Sequence, residues 1–276
     1  MSLPPELRAN ARLANIRLHP IKSLDPVYAT EAKVGPNGGL ENDRVWALFS
    51  LTGSWINGKS NPGIQLIRAV YNPELTQVTL SVPEDRRGIP AMTMDFPGDT
   101  DRASKWFSVF FQQLVTVRYA REGYPDDGLA TGPTIVSTAS LERVCAWFPQ
   151  IGLEEARQRF RATLEVDSAD PAAPLPAFWE DGLFTGDPNY SVRFRIGEVA
   201  LEGSNPCARC PVPPRNPQTG EEVIGFQKKF VEMRRRELPE WAPAERFDHF
   251  YRLSTNTRVA STEMGKTLRV GDRVTF

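Results

Sequence analysis

The chain has 276 residues, a length that predicts one or two domains with a hydrophobic core that needs no disulfide or metal support. Its 33 Lys and Arg residues nearly balance 34 Asp and Glu residues, which argues against nucleic-acid binding and against attachment to an anionic membrane. Its apolar runs are all shorter than the ~18–20 residues of a membrane span, so we expect no membrane partner.

The first part of the chain is dominated by predicted strands. Runs of β-branched and aromatic residues between Pro, Gly and Asn predict strands at residues 13–22, 27–34, 44–51, 66–71, 77–81 and 91–96. The helical spacing of aromatic residues predicts one helix at 99–111, with those residues in the core. Residues 124–133 are rich in Gly, Asp and Pro, so we place a domain boundary there and expect domains at 1–123 and 124–276.

The second part mixes predicted helices and strands. A helix running to about residue 148 should be capped by Ser137 or Thr138, and further helices are predicted at 154–161 and 222–238. Strands are predicted at 135–137, 163–166, 190–196 and 198–202, and a terminal hairpin at 268–276. The last helix should carry Arg234, Arg235 and Arg236 on its solvated face. The predicted fold class is mainly β with flanking helices (α+β), as an N-terminal β domain packed on a second β domain.

The three cysteines are Cys145, Cys207 and Cys210, too few for the disulfide framework of a secreted protein, so we expect a cytoplasmic location. The pair Cys207-Ala208-Arg209-Cys210 has four interpretations: part of a zinc site, a redox pair, two structural thiols, or a thiolate presented to a soft metal or a sulfur atom. The redox interpretation is disfavoured by the prolines that follow, and a zinc site would need distant ligands. Spacing alone does not decide among the four.

Basic residues occupy several predicted strand-to-loop positions. Lys22, Arg44, Arg159 and Arg161 are each, taken singly, typical of a surface cation. Together with Arg209 they would form an anion site, because the planar guanidinium binds phosphate oxygens in pairs.

These motifs, in order, resemble those of MOSC-domain proteins, in which an N-terminal β-barrel-like domain precedes a molybdenum-cofactor-sulfurase C-terminal domain. The similarity covers residues 13–276. Within the family, the motifs most resemble those of bacterial relatives of the mitochondrial amidoxime-reducing component. The motifs that carry it include His19-Pro20-Ile21-Lys22-Ser23, Asp43-Arg44-Val45-Trp46, Arg159-Phe160-Arg161, Cys207-Ala208-Arg209-Cys210 and Val270-Gly271-Asp272-Arg273-Val274.

The resemblance implies a site for the molybdenum cofactor (Mo-molybdopterin), with Cys210 as the metal ligand and catalytic residue. It implies that the pterin and its phosphate are held by Lys22, Ser23, Arg44 and Arg161, in a pocket also lined by Thr138, Ser140, Ala208 and Arg209. The chain departs from the family at Ala162-Thr163, where Pro-Asn is usual, and we expect Thr163 to replace part of the lost Asn contact.

The implied function is a molybdenum-dependent oxidoreductase that removes an oxygen atom from a small N-hydroxylated or similar substrate. No ferredoxin-like extension follows Phe276, and no glycine-rich dinucleotide motif is present, so we expect electrons from a separate electron-transfer protein or reductase. Two alternatives stay open: a sulfur carrier that forms a persulfide on Cys210, and a carrier of the molybdenum cofactor without turnover.

Overall fold

The structure, a computed structural model, describes residues 10–83 and 88–276. These residues form sixteen strands and four α-helices, which confirms the predicted fold class. The helices are α1 (Thr100–Phe111), α2 (Thr138–Trp147), α3 (Leu153–Phe160) and α4 (Phe226–Arg236). The strands are β1 (Ala11–Leu18), β2 (Val27–Ala29), β3 (Glu31–Lys33), β4 (Trp46–Ser50), β5 (Trp55–Ile56), β6 (Arg68–Tyr71), β7 (Gln77–Ser81), β8 (Met92–Asp95), β9 (Val115–Tyr119), β10 (Ile135–Ser137), β11 (Leu164–Ser168), β12 (Val192–Ile196), β13 (Val199–Ala208), β14 (Arg252–Arg258), β15 (Thr267–Arg269) and β16 (Val274–Thr275).

The largest sheet has eight strands in the order β16-β12-β13-β14-β10-β11-β1-β2. Its strands pair antiparallel except β10 and β11, which are parallel and are connected through α2 and α3. Strand β3 pairs with β15, so the first three strands of the chain all belong to sheets that contain later strands. The division at 123/124 stays a prediction, and the pairing shows that the two parts of the chain are joined through shared sheets.

The remaining strands form two three-stranded sheets, β5-β4-β9 and β6-β7-β8, which pack with α1. Helix α1 buries Trp106, Phe107 and Phe110 in this core, as their helical spacing predicts. A separate core lies where α2, α3 and α4 cover the large sheet, and it stacks Phe148 on Phe226 with ring centroids 4.4 Å apart. The site described below lies between these layers.

Several predicted elements have different partners in the structure. The predicted strand 27–34 is divided into β2 and β3, because β2 pairs with β1 and β3 with β15. The predicted terminal hairpin is wrong, since β15 pairs with β3 and β16 with β12. Strand β14 was not predicted, because its run of Ser, Thr and Asn is polar although it is buried between β13 and β10.

Arg234 contradicts the prediction of a solvated triple-arginine face. Arg235 and Arg236 are exposed, but Arg234 is 1% exposed and forms an ion pair with the buried carboxylate of Asp181. Its guanidinium also lies 3.9 Å from the ring centroid of Phe178. A buried arginine needs such a partner because an unpaired charge inside the protein is costly, and the partner is 53 residues away in sequence.

The buried Glu180, next to Asp181, should make the stability of the folded protein depend on pH. Burial and the neighbouring Asp181 raise the pKa of Glu180 from 4.5 to about 7, so folding favours its protonated form between these values. Stability should therefore fall as the pH rises through this window, by up to about 3 kcal/mol. Glu180→Gln stays neutral and should gain stability relative to the wild type at pH 8 but not at pH 5, measured by urea unfolding.

The matched control for Glu180 is Glu142→Gln, on the exposed face of α2. The free energy of unfolding of Glu142→Gln should differ little from that of the wild type, and by a similar amount at pH 5 and pH 8. A Glu180→Gln difference that is the same at pH 5 and pH 8 would show that Glu180 is ionised in the folded protein throughout this range.

Candidate functional site

A cavity of about 550 Å³ lies between the N-terminal strands and the second half of the chain. Its size is within the range typical of cofactor and small-molecule sites. It brings together seven of the predicted site residues from distant parts of the sequence: Lys22, Ser23, Arg44, Arg161, Ala208, Arg209 and Cys210.

Lys22 enters the cavity because β1 ends at Leu18, earlier than predicted, and the chain turns at Pro20. The backbone N–H of Lys22 donates to the Trp46 carbonyl at 2.7 Å, which fixes the turn against β4. The ammonium donates to the Tyr124 carbonyl at 2.8 Å and lies 4.6 Å from the ring centroid of Trp55. Burial lowers the pKa of Lys22, an effect that the carboxylate of Asp126 opposes.

Arg44 is fixed by both its backbone and its side chain. Its N–H donates to the His19 carbonyl and its carbonyl accepts from the Tyr124 N–H, both at 2.8 Å. Its guanidinium donates to Asp43 Oδ2 at 2.6 Å, while Asp43 Oδ1 accepts from the His19 N–H at 2.8 Å. Burial and the charge of Arg161 lower the pKa of His19 to about 3, so the His19 imidazole is neutral at pH 7.

Arg161 ends helix α3 and reaches the same cavity. Its guanidinium donates to the Leu24 carbonyl at 2.7 Å. Burial and the nearby charge of Arg44 lower the pKa of Arg161 to about 10. The cavity thus holds two arginines that repel each other, an arrangement that an added anion would stabilise.

Three of these residues have left-handed backbone conformations. The φ angles are 76° for Ser23, 54° for Arg44 and 52° for Arg161. Residues other than glycine adopt this region at a cost of about 1 kcal/mol or more each, and such strain concentrates at functional sites. The sequence motifs do not indicate these left-handed conformations.

The two cysteines lie where strand β13 ends. Register shifts in the β13–β14 pair at Gly203–Asn205 and at Pro206–Ala208 change the direction of the strand just before Cys210. Both cysteine residues are half-buried and line the cavity. Burial raises the pKa of Cys207, and the charge of Arg209 opposes this effect without overcoming it. No helix opens at this pair, in contrast to thioredoxin-like redox motifs.

Arg209 holds the cysteine segment in place. Its side chain donates to the Phe160 carbonyl at 2.7 Å and to the Leu253 carbonyl at 2.8 and 3.1 Å. A further bond of 2.6 Å joins it to the Ser254 hydroxyl. Arg209 therefore ties the Cys207–Cys210 segment to α3 and β14. Arg159 is similarly engaged, with Glu155 and the Pro213 carbonyl.

Thr138, Ser140 and Thr163 are not among the residues that line the cavity, and their predicted cofactor contacts stay predictions. The Thr138 hydroxyl donates to Glu165 at 2.8 Å, and the Ser140 hydroxyl donates to Glu180 at 2.8 Å. Ser140 and Thr163 are fully buried. The turn before α2 instead closes a polar network beneath the sheet, with Ser137 as the predicted N-cap.

Other residues of the cavity were missed by the sequence analysis. Asp126 lies 2.9 Å from the Lys22 ammonium and 3.6 Å from Arg44 Nε. Tyr124 also lines the cavity, and its ring makes an edge-on contact with Trp55, with ring centroids 5.3 Å apart. The sequence analysis treated residues 124–133 only as a boundary, because Gly-, Asp- and Pro-rich segments are typical of linkers.

Two further observations concern metals and membranes. Within residues 10–83 and 88–276, no group of three His, Cys, Asp or Glu side chains is arranged to hold a metal ion. In the same part of the chain, no helix combines the length and the apolar character needed to cross a membrane.

Comparison with protein families matches residues 10–114 to the MOSC N-terminal beta barrel domain and residues 134–275 to the MOSC domain. MOSC domains are associated with molybdenum cofactor binding and with sulfurase-like proteins. Among solved structures, the YUAD protein from Bacillus subtilis is similar at 12% identity, covering 96% of this chain and 94% of that one with a TM-score of 0.34. The search of curated proteins found no match.

Proposed function

This chain belongs to the MOSC-domain family, and from that premise we propose that it binds the molybdenum cofactor in the cavity and acts as a molybdenum-dependent oxidoreductase on small N-hydroxylated or related substrates. One observation carries the proposal. The thiol of Cys210 and the cations of Lys22, Arg44 and Arg161 line the same cavity, although they come from four separate segments.

The residues present fit this cofactor. A phosphate dianion needs several cations, and the cavity supplies an ammonium and two guanidinium groups of low exposure. A thiolate is a soft ligand and suits a molybdenum centre better than a carboxylate would. The charge of Arg44 lowers the pKa of Arg161, so an anion bound at this cavity gains the attraction of both arginines and reduces their repulsion.

In this proposal each residue has a distinct role. Lys22, Arg44 and Arg161 bind the phosphate, with Asp43 keeping the Arg44 guanidinium oriented. Cys210 supplies the metal thiolate, and Arg209 positions its segment through bonds to Phe160 and Leu253. When bound, the cofactor supplies the oxygen-atom and electron transfer, while the protein orients it and limits access of water.

The first experiment is elemental analysis of the full-length protein produced in cells that make the cofactor. Stoichiometric molybdenum supports the oxidoreductase and the cofactor-carrier alternatives. Protein without molybdenum that carries a persulfide on Cys210 would instead support the sulfur-carrier alternative and contradict our proposal. Turnover of a molybdenum-loaded sample with a reduced dye then distinguishes an enzyme from a carrier.

We predict that the loaded protein reduces an N-hydroxylated compound such as benzamidoxime with a reduced dye, or with a reductase and electron-carrier protein, but not with NADH alone. The chain has three cysteines, too few for a cluster ligated by four, and no GxGxxG motif. Consumption of NADH and formation of the reduced product are the measurements. Rapid turnover with NADH as the sole donor would contradict the need for a partner.

A further inference from the structure

The Asp126 side chain is much more exposed to solvent than the two cations that it contacts. The Lys22 and Arg44 side chains are 11% and 17% exposed, whereas the Asp126 side chain is 59% exposed. Its carboxylate thus approaches two buried cations from the solvent side of the cavity. The two cations are built into the wall, and Asp126 is carried by the Gly- and Pro-containing segment 124–128.

The neighbouring Asp127 shows that this segment does not depend on Asp126 for its shape. Asp127 Oδ1 accepts from the backbone N–H groups of Leu129 at 2.8 Å and Ala130 at 3.3 Å. Its other oxygen accepts from Asn256 at 3.4 Å. The Asp126 carboxylate instead forms ion pairs with Lys22 and Arg44, two cations of the cavity.

The balance of charges at the cavity indicates the charge of the ligand that would take the place of Asp126. Among the described residues, the carboxylates of Asp43 and Asp126 form ion pairs with Lys22 or Arg44, while Asp25, whose charge also acts on Arg161, is paired with Arg68 at 3.2 Å. Asp43 is buried and bonded to the His19 backbone, so it is a permanent partner. If Asp126 withdraws, the three cations and Asp43 leave two positive charges, and Lys59 at the same cavity adds a further one, so the site attracts a phosphate dianion. With Asp126 in place, its carboxylate already pairs with Lys22 and Arg44 and would repel a dianion that approaches the same cations.

We propose that Asp126 is an internal competitor that neutralises the phosphate-binding cations Lys22 and Arg44 until the phosphate of a ligand displaces it. The inference rests on the proposed function, in which that phosphate belongs to the cofactor. The carbonyls of Tyr124 and Pro125 also accept from Lys22, at 2.8 and 3.4 Å, and Asp127 holds the same segment from its other side. The Asp126 side chain is therefore the part that the phosphate displaces.

The test uses the full chain produced without cofactor and titrated with inorganic phosphate at low ionic strength by calorimetry. Asp126→Asn keeps the shape of the side chain and removes its charge, so its affinity for phosphate should rise about tenfold. Glu122→Gln is the matched control, because Glu122 also lines the cavity but has no ion pair with Lys22 or Arg44. It should change the affinity less than about twofold, the effect of one screened charge.

A second variant separates competition from a general charge effect. In a Lys22→Gln background, Asp126 has lost its closer partner, so adding Asp126→Asn should raise phosphate affinity less than about threefold. Equal affinities of the wild type and Asp126→Asn, or an equal gain in Glu122→Gln, would overturn the inference. Molybdenum content of the wild type, measured separately, tests the proposed function, since its absence would leave the phosphate comparison unchanged.

Discussion

Cys210→Ser is expected to lose molybdenum to the background level, whereas Cys207→Ser should keep most of it. A serine hydroxyl is a hard oxygen that stays protonated at neutral pH and is a poor substitute for a thiolate ligand. Cys207 lies within β13, and burial raises its pKa, so it is held as a thiol. Cys210 follows the end of that strand in a segment fixed by Arg209. Metal content per protein, with pterin content measured alongside, is the readout.

Cys145→Ser provides the control for the loss of a thiol. Cys145 is on α2 and packs against the helical core, away from the cavity. It should retain full molybdenum and full pterin. The assignment is reversed if Cys207→Ser loses the metal and Cys210→Ser keeps it. If both cysteine variants keep the metal, the ligand lies elsewhere in the chain.

Arg161→Gln should lower cofactor affinity 10- to 100-fold, the effect of losing one charge-assisted contact of about 1.5–3 kcal/mol. It should do so without lowering the melting temperature of the cofactor-free protein. Burial and Arg44 lower the pKa of Arg161 to about 10, so the folded state disfavours its charge at any pH below that value. Removing the charge therefore relieves a desolvation cost that the carboxylates of Asp25, Asp126 and Asp43 offset only in part. Equilibrium dialysis against the cofactor and thermal unfolding without it are the two measurements.

Arg121→Gln is the matched control, because Arg121 is exposed at the edge of the same cavity. Its affinity for the cofactor should change less than about twofold. Arg161→Lys keeps the charge and should retain part of the affinity. Arg44→Ala and Lys22→Ala should also reduce pterin content. A cofactor-free Arg161→Gln protein that unfolds at a much lower temperature would show that Arg161 is a structural residue.

The sequence by itself determined the family and the fold class. The ordered motifs around Lys22, Arg44, Arg161 and Cys210 are local in sequence, and each could be recognised from a few adjacent residues. The helices α1, α2 and α3 followed from apolar spacing and from the cap at Ser137, because the energetics of a helix end depend on its own first turn.

Only the tertiary structure decided which polar residues share a cavity. Thr138 and Ser140 face a buried network instead of the site, because their hydroxyls find the carboxylates of Glu165 and Glu180 across the fold. Asp126 joins the site although its segment has the composition of a linker. The partners of short strands such as β15 and β16 were likewise undetermined. Contacts of this kind depend on residues far apart in sequence, and an unpaired buried charge or hydroxyl takes whichever partner the fold supplies.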